Sequence, residues 1–296
     1  MSRPHRRVFL ARWAAAGLAV FLGGCANLGI GLVNTLVPSE GYRRETAIAY
    51  GPHPRQALDV YVPTAGEAGA RPVVLFFYGG SWQFGDRGQY KFLGEALASR
   101  GVVTVIADYR LYPEVKFPAF MEDSARALRW VESHAATYGG STKSIYIMGH
   151  SAGANMSALV ALDPRYRGST PLKGLIGLAG PYTFQPLEID SVKAVYEGTN
   201  IADARPVAFV SKTSPLPRAF LAHGRGDDTV HLFHTERMAQ ALRAQGGDVR
   251  LVFYDSIGHV MLMGAFARPF RGKAPVIDDV MQFIAETEQQ PAVAAP

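Results

Sequence analysis

From residue 57 to residue 287 the chain alternates two kinds of apolar pattern. Val73–Tyr78 (VVLFFY) and Val102–Ala107 (VVTVIA) are apolar runs, and Ile145–Met148, Leu172–Leu178, Arg218–Ala222 and Val249–Tyr254 repeat the theme. Val73–Tyr78, bounded by Pro72 and Gly79-Gly80, and Val102–Ala107 predict buried strands, and the other four read as further strands. Ala57–Val62 (ALDVYV) alternates apolar with polar positions and reads as an early strand. Between the strands, Tyr90–Arg100, Phe120–Tyr138, Ala152–Leu162, Val230–Gln245 and Val276–Thr287 read as helices from their apolar spacing, with Gly101 and Gly139-Gly140 as stops. Strands alternating with helices predict an α/β fold: a mainly parallel central sheet with helices on both faces. Such sheets bind ligands outside the carboxyl ends of their strands. The residues that follow each strand are therefore where candidate chemistry is sought.

The N-terminal pattern is different. Arg3, Arg6 and Arg7 precede an apolar run of ten residues, Trp13 to Leu22, too short for a permanent membrane span. Leu22-Gly23-Gly24-Cys25 looks like a bacterial lipobox, in which the cysteine is acylated. Residues 1–24 then read as a lipoprotein signal peptide. Arg6-Arg7-Val8-Phe9-Leu10 fits either a twin-arginine export signal or an ordinary basic leader. Residues 25–45, broken by Gly29, Gly31, Pro38 and Gly41, read as a tether behind the lipidated Cys25. Residues 46–290 form the expected catalytic domain and 291–296 a disordered tail. Acylation would place the chain in the bacterial cell envelope, held by a lipid anchor. By resemblance to bacterial lipoproteins, Ala26 after the cysteine points to the outer membrane, facing the periplasm.

Composition narrows the classes further. Of 296 residues, 48% are hydrophobic and 19% charged, which excludes a disordered chain and suffices for a large core. The net charge is +5, but Arg3, Arg6, Arg7 and Arg12 supply four of those charges, so 5 − 4 = +1 remains after the leader. That balance gives no electrostatic case for nucleic acid. Cys25 is the single cysteine, so no disulfide forms within the chain.

Gly149-His150-Ser151-Ala152-Gly153 joins a predicted strand to a predicted helix. A G-x-S-x-G pattern is weak alone and gains force from that context. Small flanking residues let strand and helix approach, the bend exposes the Ser151 hydroxyl, and the helix aims its first amides there. A serine nucleophile needs a base and an orienting carboxylate. His259 follows the strand at Val249, and Asp227 follows the strand at Arg218, in His223-Gly-Arg-Gly-Asp227-Asp228. Ser151, Asp227, His259 is the chain order expected of this arrangement. Asp228 competes with Asp227; only one of two neighbours points inward, and Asp227 is preferred. The other histidines read blandly: His231 and His234 on a surface helix, His134 near a helix end, His53 in a Pro-rich loop. No cluster has metal-ligand spacing, and neither metal nor cofactor is expected. Tyr78-Gly79-Gly80-Ser81-Trp82 follows the strand at Val73. Its glycines can bare an amide for an oxyanion, with the Ala152 amide as the second donor.

On these residues the sequence resembles the α/β-hydrolase fold, and within it the bacterial esterase and lipase branch with an HGG-x-W oxyanion motif. That branch includes carboxylesterases, feruloyl-type esterases and arylformamidases. The resemblance runs from about Thr46 to Thr287 and includes Ala107-Asp108-Tyr109-Arg110-Leu111-Tyr112-Pro113 and Gly258-His259. One departure stands out. Tyr78 replaces the motif's His, either filling its space or turning a hydroxyl toward the oxyanion. The resemblance implies acyl transfer through Ser151, His259 and Asp227, with Gly79, Gly80 and Ala152 as oxyanion donors. Tyr78, Trp82, His150 and Tyr182 are candidate substrate contacts. Tyr182, Phe184, Tyr196 and Phe209 line a pocket or form local core. The segment between Gly180 and Ser214 is too short for a large lid domain, so the expected substrate is a small short-chain or aryl ester. The alternatives are an arylformamidase-type amidohydrolase or a peptidase on the same triad, and a non-catalytic envelope lipoprotein. Nothing in the sequence sets the oligomeric state.

Overall fold

The computed structural model describes residues 33–66, 71–186 and 189–290. The expected leader, Cys25 and the expected tail at 291–296 lie outside them. Eight strands form one sheet: β1 (Tyr42–Ala49), β2 (Ala57–Pro63), β3 (Arg71–Phe77), β4 (Val103–Ala107), β5 (Gly140–His150), β6 (Leu172–Leu178), β7 (Arg218–Gly224) and β8 (Val249–Tyr254). Their spatial order is β1-β2-β4-β3-β5-β6-β7-β8. Strands β3 to β8 are parallel, while β2 runs antiparallel to both β4 and β1. Val73 to Phe77 of β3 are all fully buried. Alternate side chains of a strand point to opposite faces, so both faces of the sheet are covered.

The covering helices are α1 (Lys91–Ala98), α2 (Ala119–His134), α3 (Ala152–Leu162), α4 (Phe233–Ala244), α5 (His259–Gly264) and α6 (Val276–Glu288). In α2 the buried residues Phe120, Ser124, Ala127, Leu128 and Val131 fall at helical spacing, leaving a solvent face. All eleven residues of α3 are buried, because that helix is apolar or small on every side. Register aligns the strand ends: Phe77 pairs with Gly149, His150 with Leu178, and Gly224 with Tyr254. The segments after β3, β5, β7 and β8 therefore emerge side by side.

The folded body begins earlier than Thr46. Tyr42–Ala49 is an edge strand on β2, and Val33 and Val37 pack against the core. The Asn34 side chain donates to the carbonyls of Gly88 and Gln89 at 3.0 Å each and accepts from the Phe92 amide at 3.3 Å. Residues from Val33 on thus belong to the body, not to a tether. Among the described residues, the excursion between β6 and β7 holds 3-10 turns, the longest Pro206–Lys212. It carries no large lid.

Candidate active site

Ser151 sits between β5 and α3 with φ 56° and ψ −124°, a conformation that costs energy for any residue with a side chain. Its neighbours have no choice of residue. A Cβ on Gly149 would lie 2.2 Å from the Gly153 carbonyl oxygen, and one on Gly153 would lie 2.0 Å from that of Phe77. The Ser151 amide donates to the Leu178 carbonyl at 2.9 Å, fixing the bend to β6. The first amides of α3, at Ala152 and Gly153, have no acceptor inside the helix. Gly79 lies against the serine: a Cβ there would approach Ser151 Cβ to 2.8 Å. After Gly79 the chain turns through Gly80, Ser81 and Trp82 at φ 119°, 53° and 60°. The Gly80 carbonyl collects the amides of Gln83 and Phe84, which closes the turn.

Asp227 and His259 are brought together. His259 Nδ1 donates to Asp227 Oδ2 at 2.7 Å, and the other carboxylate oxygen accepts the amides of Thr229 and Val230 at 2.9 and 2.8 Å. Asp228 points elsewhere and accepts from the Thr229 hydroxyl at 3.3 Å. Burial opposes the Asp227 charge. Hydrogen bonds from His223, His259 and the Val230 amide outweigh it and hold the carboxyl below its ordinary range. His150 links this pair to the serine bend. Its Nε2–H donates to the His259 carbonyl at 3.1 Å, and the two rings lie 4.7 Å apart. Burial first, and then the neighbouring His259, push the His150 imidazole down to about 3, so it stays neutral. No hydrogen bond joins Ser151 Oγ to His259 Nε2 in this structure. Such bonds are often loose before substrate arrives.

Four expected substrate contacts are engaged inside the protein instead. Tyr78 is fully buried, stacked between Tyr90 and Tyr109, and its hydroxyl donates to Asp108 Oδ1 at 2.7 Å while accepting from Arg55 Nη2 at 2.8 Å. It faces away from any oxyanion. Arg55 Nη2 also donates to the Gly85 carbonyl at 2.8 Å, so the same cluster clips the far end of the glycine loop. Tyr78 therefore fills the space of the motif's His. Trp82 is buried and stacks on Phe184, with Tyr196 edge-on. Tyr182 is fully buried against Gly177 and Gly180, and Phe209 is buried too, so these aromatics are local core. His150 is spent on the His259 loop.

Two buried histidines escaped sequence reasoning. His223, wholly buried at the end of β7, shares its Nε2–H between the Val230 carbonyl at 2.8 Å and Asp227 Oδ2 at 3.0 Å. Its place in His223-x-x-x-Asp227 was the available signal. His234 is buried, not on a surface helix face, because Nδ1 pairs with Thr183 Oγ1 at 2.7 Å. Its burial, with positive neighbours adding, pushes it down to about 4.

Known proteins bear on this arrangement. The BD-FAE family model matches residues 58–176, and that of the prolyl oligopeptidase family matches 120–287, more than half of the 296 residues. A probable isoprenylcysteine alpha-carbonyl methylesterase of Oryza sativa subsp. japonica is 31% identical, over 76% of this chain and 59% of its own. The probable carboxylic ester hydrolase LipM of Mycobacterium tuberculosis is 32% identical, over 68% of this chain and 52% of its own. The chain thus spans between half and two thirds of the length of these relatives. An inhibited esterase B from Lactobacillus rhamnosis superposes with a TM-score of 0.81 at 18% identity, covering 95% of this chain and 97% of that one. The chain belongs to the prolyl oligopeptidase family, on the α/β-hydrolase fold that it shares with this esterase.

Proposed function

We propose that this chain is a serine carboxylesterase that cleaves short-chain or aryl esters through an acyl-enzyme. The observation that carries the reading is the His259–Asp227 bond of 2.7 Å, held by His150 beside the strained bend of Ser151. Relatives named as esterases and carboxylic ester hydrolases support it. In the proposed cycle Ser151 Oγ attacks the ester carbonyl as His259 Nε2 takes its proton. Asp227 fixes the imidazole tautomer through Nδ1–H and stabilises the cation. Amides of Gly79 or Gly80 and of Ala152 receive the oxyanion. The protonated His259 then gives its proton to the leaving alcohol. Water attacks the acyl-enzyme by the same route in reverse.

Hydrolysis of p-nitrophenyl acetate, butyrate and octanoate, measured beside Ser151→Ala, tests the reading. Activity confined to the parent chain supports it; equal activity in the variant overturns the nucleophile. Faster cleavage of N-formyl aryl amides than of esters would make the chain an amidohydrolase of the formamidase type. The second part of the proposal is anchoring: Cys25 carries acyl chains that hold the protein on the bacterial envelope, on the periplasmic side of the outer membrane. Incorporation of labelled palmitate that Cys25→Ser abolishes is the expected result.

A further inference from the structure

Five large apolar side chains stand exposed among the described residues: Leu36, Phe84, Ile189, Phe233 and Val260, at 60%, 69%, 41%, 40% and 74%. Singly, exposed apolar residues are ordinary. Here their placement is one-sided. Phe84 follows β3, Ile189 follows β6, Phe233 lies beyond β7 at the start of α4, and Val260 comes directly after His259, beyond β8. All four stand on segments that leave the carboxyl ends of parallel strands, the end that holds Ser151, Asp227 and His259. Two side-chain bonds tie these segments together: Gln83 Nε2 to the Ser191 carbonyl at 2.7 Å, and Thr183 to His234 at 2.7 Å.

Leu36 belongs to the same end. Asn34, two residues earlier, is bonded to the Gly88 and Gln89 carbonyls, just ahead of α1 where the chain leaves β3. From there the chain runs along α1 to Gly41, beside Ser99 past the far end of that helix, before entering β1. The chain ahead of Val33 therefore departs from the end of the sheet that carries the candidate site. Cys25 lies 33 − 25 = 8 residues upstream. Fully extended, eight residues reach at most about 28 Å. An acyl group on Cys25 would therefore tether the chain to lipid from this end of the sheet.

We propose that the apolar rim is a seat on the bilayer surface, and that the substrates are esters of amphiphiles lying in that bilayer and entering the site from the lipid side. Burying the rim in the interfacial region removes exposed apolar area from water, and the acyl anchor supplies the second membrane contact that stable attachment requires. This proposal rests on the lipidated-esterase reading above.

The full chain, exported and processed with its own leader, is reconstituted in vesicles of phosphatidylethanolamine and phosphatidylglycerol. Because Cys25 is the single cysteine and acylation consumes its thiol, Ile189→Cys and Lys143→Cys each offer one thiol for a fluorophore, at opposite ends of the sheet. Nitroxide-bearing lipid should quench the label at 189 at least twofold more than the label at 143; equal quenching overturns the seat. Leu36→Ser combined with Phe233→Ser should cut turnover of vesicle-embedded hexadecyl butyrate at least 10-fold and leave aqueous p-nitrophenyl acetate within twofold. Undiminished hexadecyl butyrate turnover overturns the entry route, and if the double variant fails to fold, the quenching comparison decides. A protein that does not float with vesicles overturns the anchor and the seat with it. Strong quenching at 189 with neither ester cleaved leaves the seat standing and overturns the esterase reading and its substrate class.

Discussion

Turns that lead into the amino ends of the parallel strands bend on glycine: Gly101, Gly139, Gly168 and Gly246 hold φ of 90°, 74°, 59° and 75°. At the carboxyl ends, residues with side chains occupy the same backbone region: Ser81, Trp82, Ser151, Ala179 and Ser256, at 53°, 60°, 56°, 49° and 56°. Glycine adopts positive φ without steric cost, whereas a residue with a Cβ pays about 1–2 kcal/mol. One end of the sheet is thus relaxed, and the other stores strain that the surrounding packing must hold. Strain that persists beside a buried imidazole–carboxylate pair is what a reactive site is expected to show. Ser151 is the sharpest case, since its amide is tied to β6 and both flanking glycines are in close backbone contact.

The largest expected effect divides activity from stability at this one position. Ser151→Gly removes the proposed nucleophile and relieves the positive φ together. Ester hydrolysis should fall by a factor of about 10⁴ or more, while stability rises by about 1 kcal/mol, which for a chain of this size raises Tm by roughly 2–4 °C. Activity assays and a thermal melt of one purified variant read both. Lost activity with a lowered Tm would mean that the bend is not strained in the way its φ implies.

A smaller effect separates the two ends by pH. His150 and His234, both beside the candidate site, are held at about 3 and about 4, chiefly by burial, against 6.5 for an exposed imidazole. Between pH 6.5 and these values the unfolded chain binds more protons than the folded one, so stability rises with pH across that window. The contribution is complete above about 6.5 and is lost progressively on acidification, by about 2–3 kcal/mol for each histidine at pH 4. Urea midpoints from pH 7 to pH 4 should therefore drop steeply for the parent chain. They should drop less for His150→Gln and for His234→Asn. Parallel slopes in all three would place the acid sensitivity elsewhere.

What the chain discloses before folding follows the same division. α3 (Ala152–Leu162) and β6 (Leu172–Leu178) coincide with their apolar runs to the residue, because a buried element shows its burial in composition; β8 (Val249–Tyr254) also matches its run, although as the edge strand it is only half-buried. β1 does not. Arg43, Arg44, Glu45 and Thr46 look like linker, and only pairing with β2 at the sheet edge makes them a strand. Likewise β5 starts at Gly140 rather than Ile145, since Gly140 pairs with Arg71 and Ser141 to Ser144 bulge out before Ile145 pairs with Val73. At the candidate site, the pairing of Asp227 with His259 and the strand-to-helix bend at Ser151 were legible, because each residue type carries its chemistry and follows a strand. The placing of Tyr78, Trp82 and Tyr182 was not legible. An aromatic residue near a reactive serine looks the same whether it faces substrate or core, and here a stack of rings and the Asp108–Arg55 cluster draw them inward. The burial of His234 was equally hidden, because its partner Thr183 lies 51 positions away.

The smallest expected effect comes from the relaxed end and mirrors the largest. Gly246 lies between α4 and β8 at φ 75°, and a Cβ there would meet nothing within 4 Å. Gly246→Ala therefore adds no collision, and only the backbone conformation is penalised. Stability should fall by about 1 kcal/mol and Tm by roughly 2–4 °C. No group of the proposed mechanism is carried by this turn, so kcat and KM for p-nitrophenyl butyrate should stay within twofold at 25 °C. Set beside Ser151→Gly, the pair moves stability in opposite directions through one backbone variable, with activity responding at one end alone. A Gly246→Ala protein that keeps its Tm but loses turnover would break the comparison, since the amino ends of the strands would then be coupled to the chemistry.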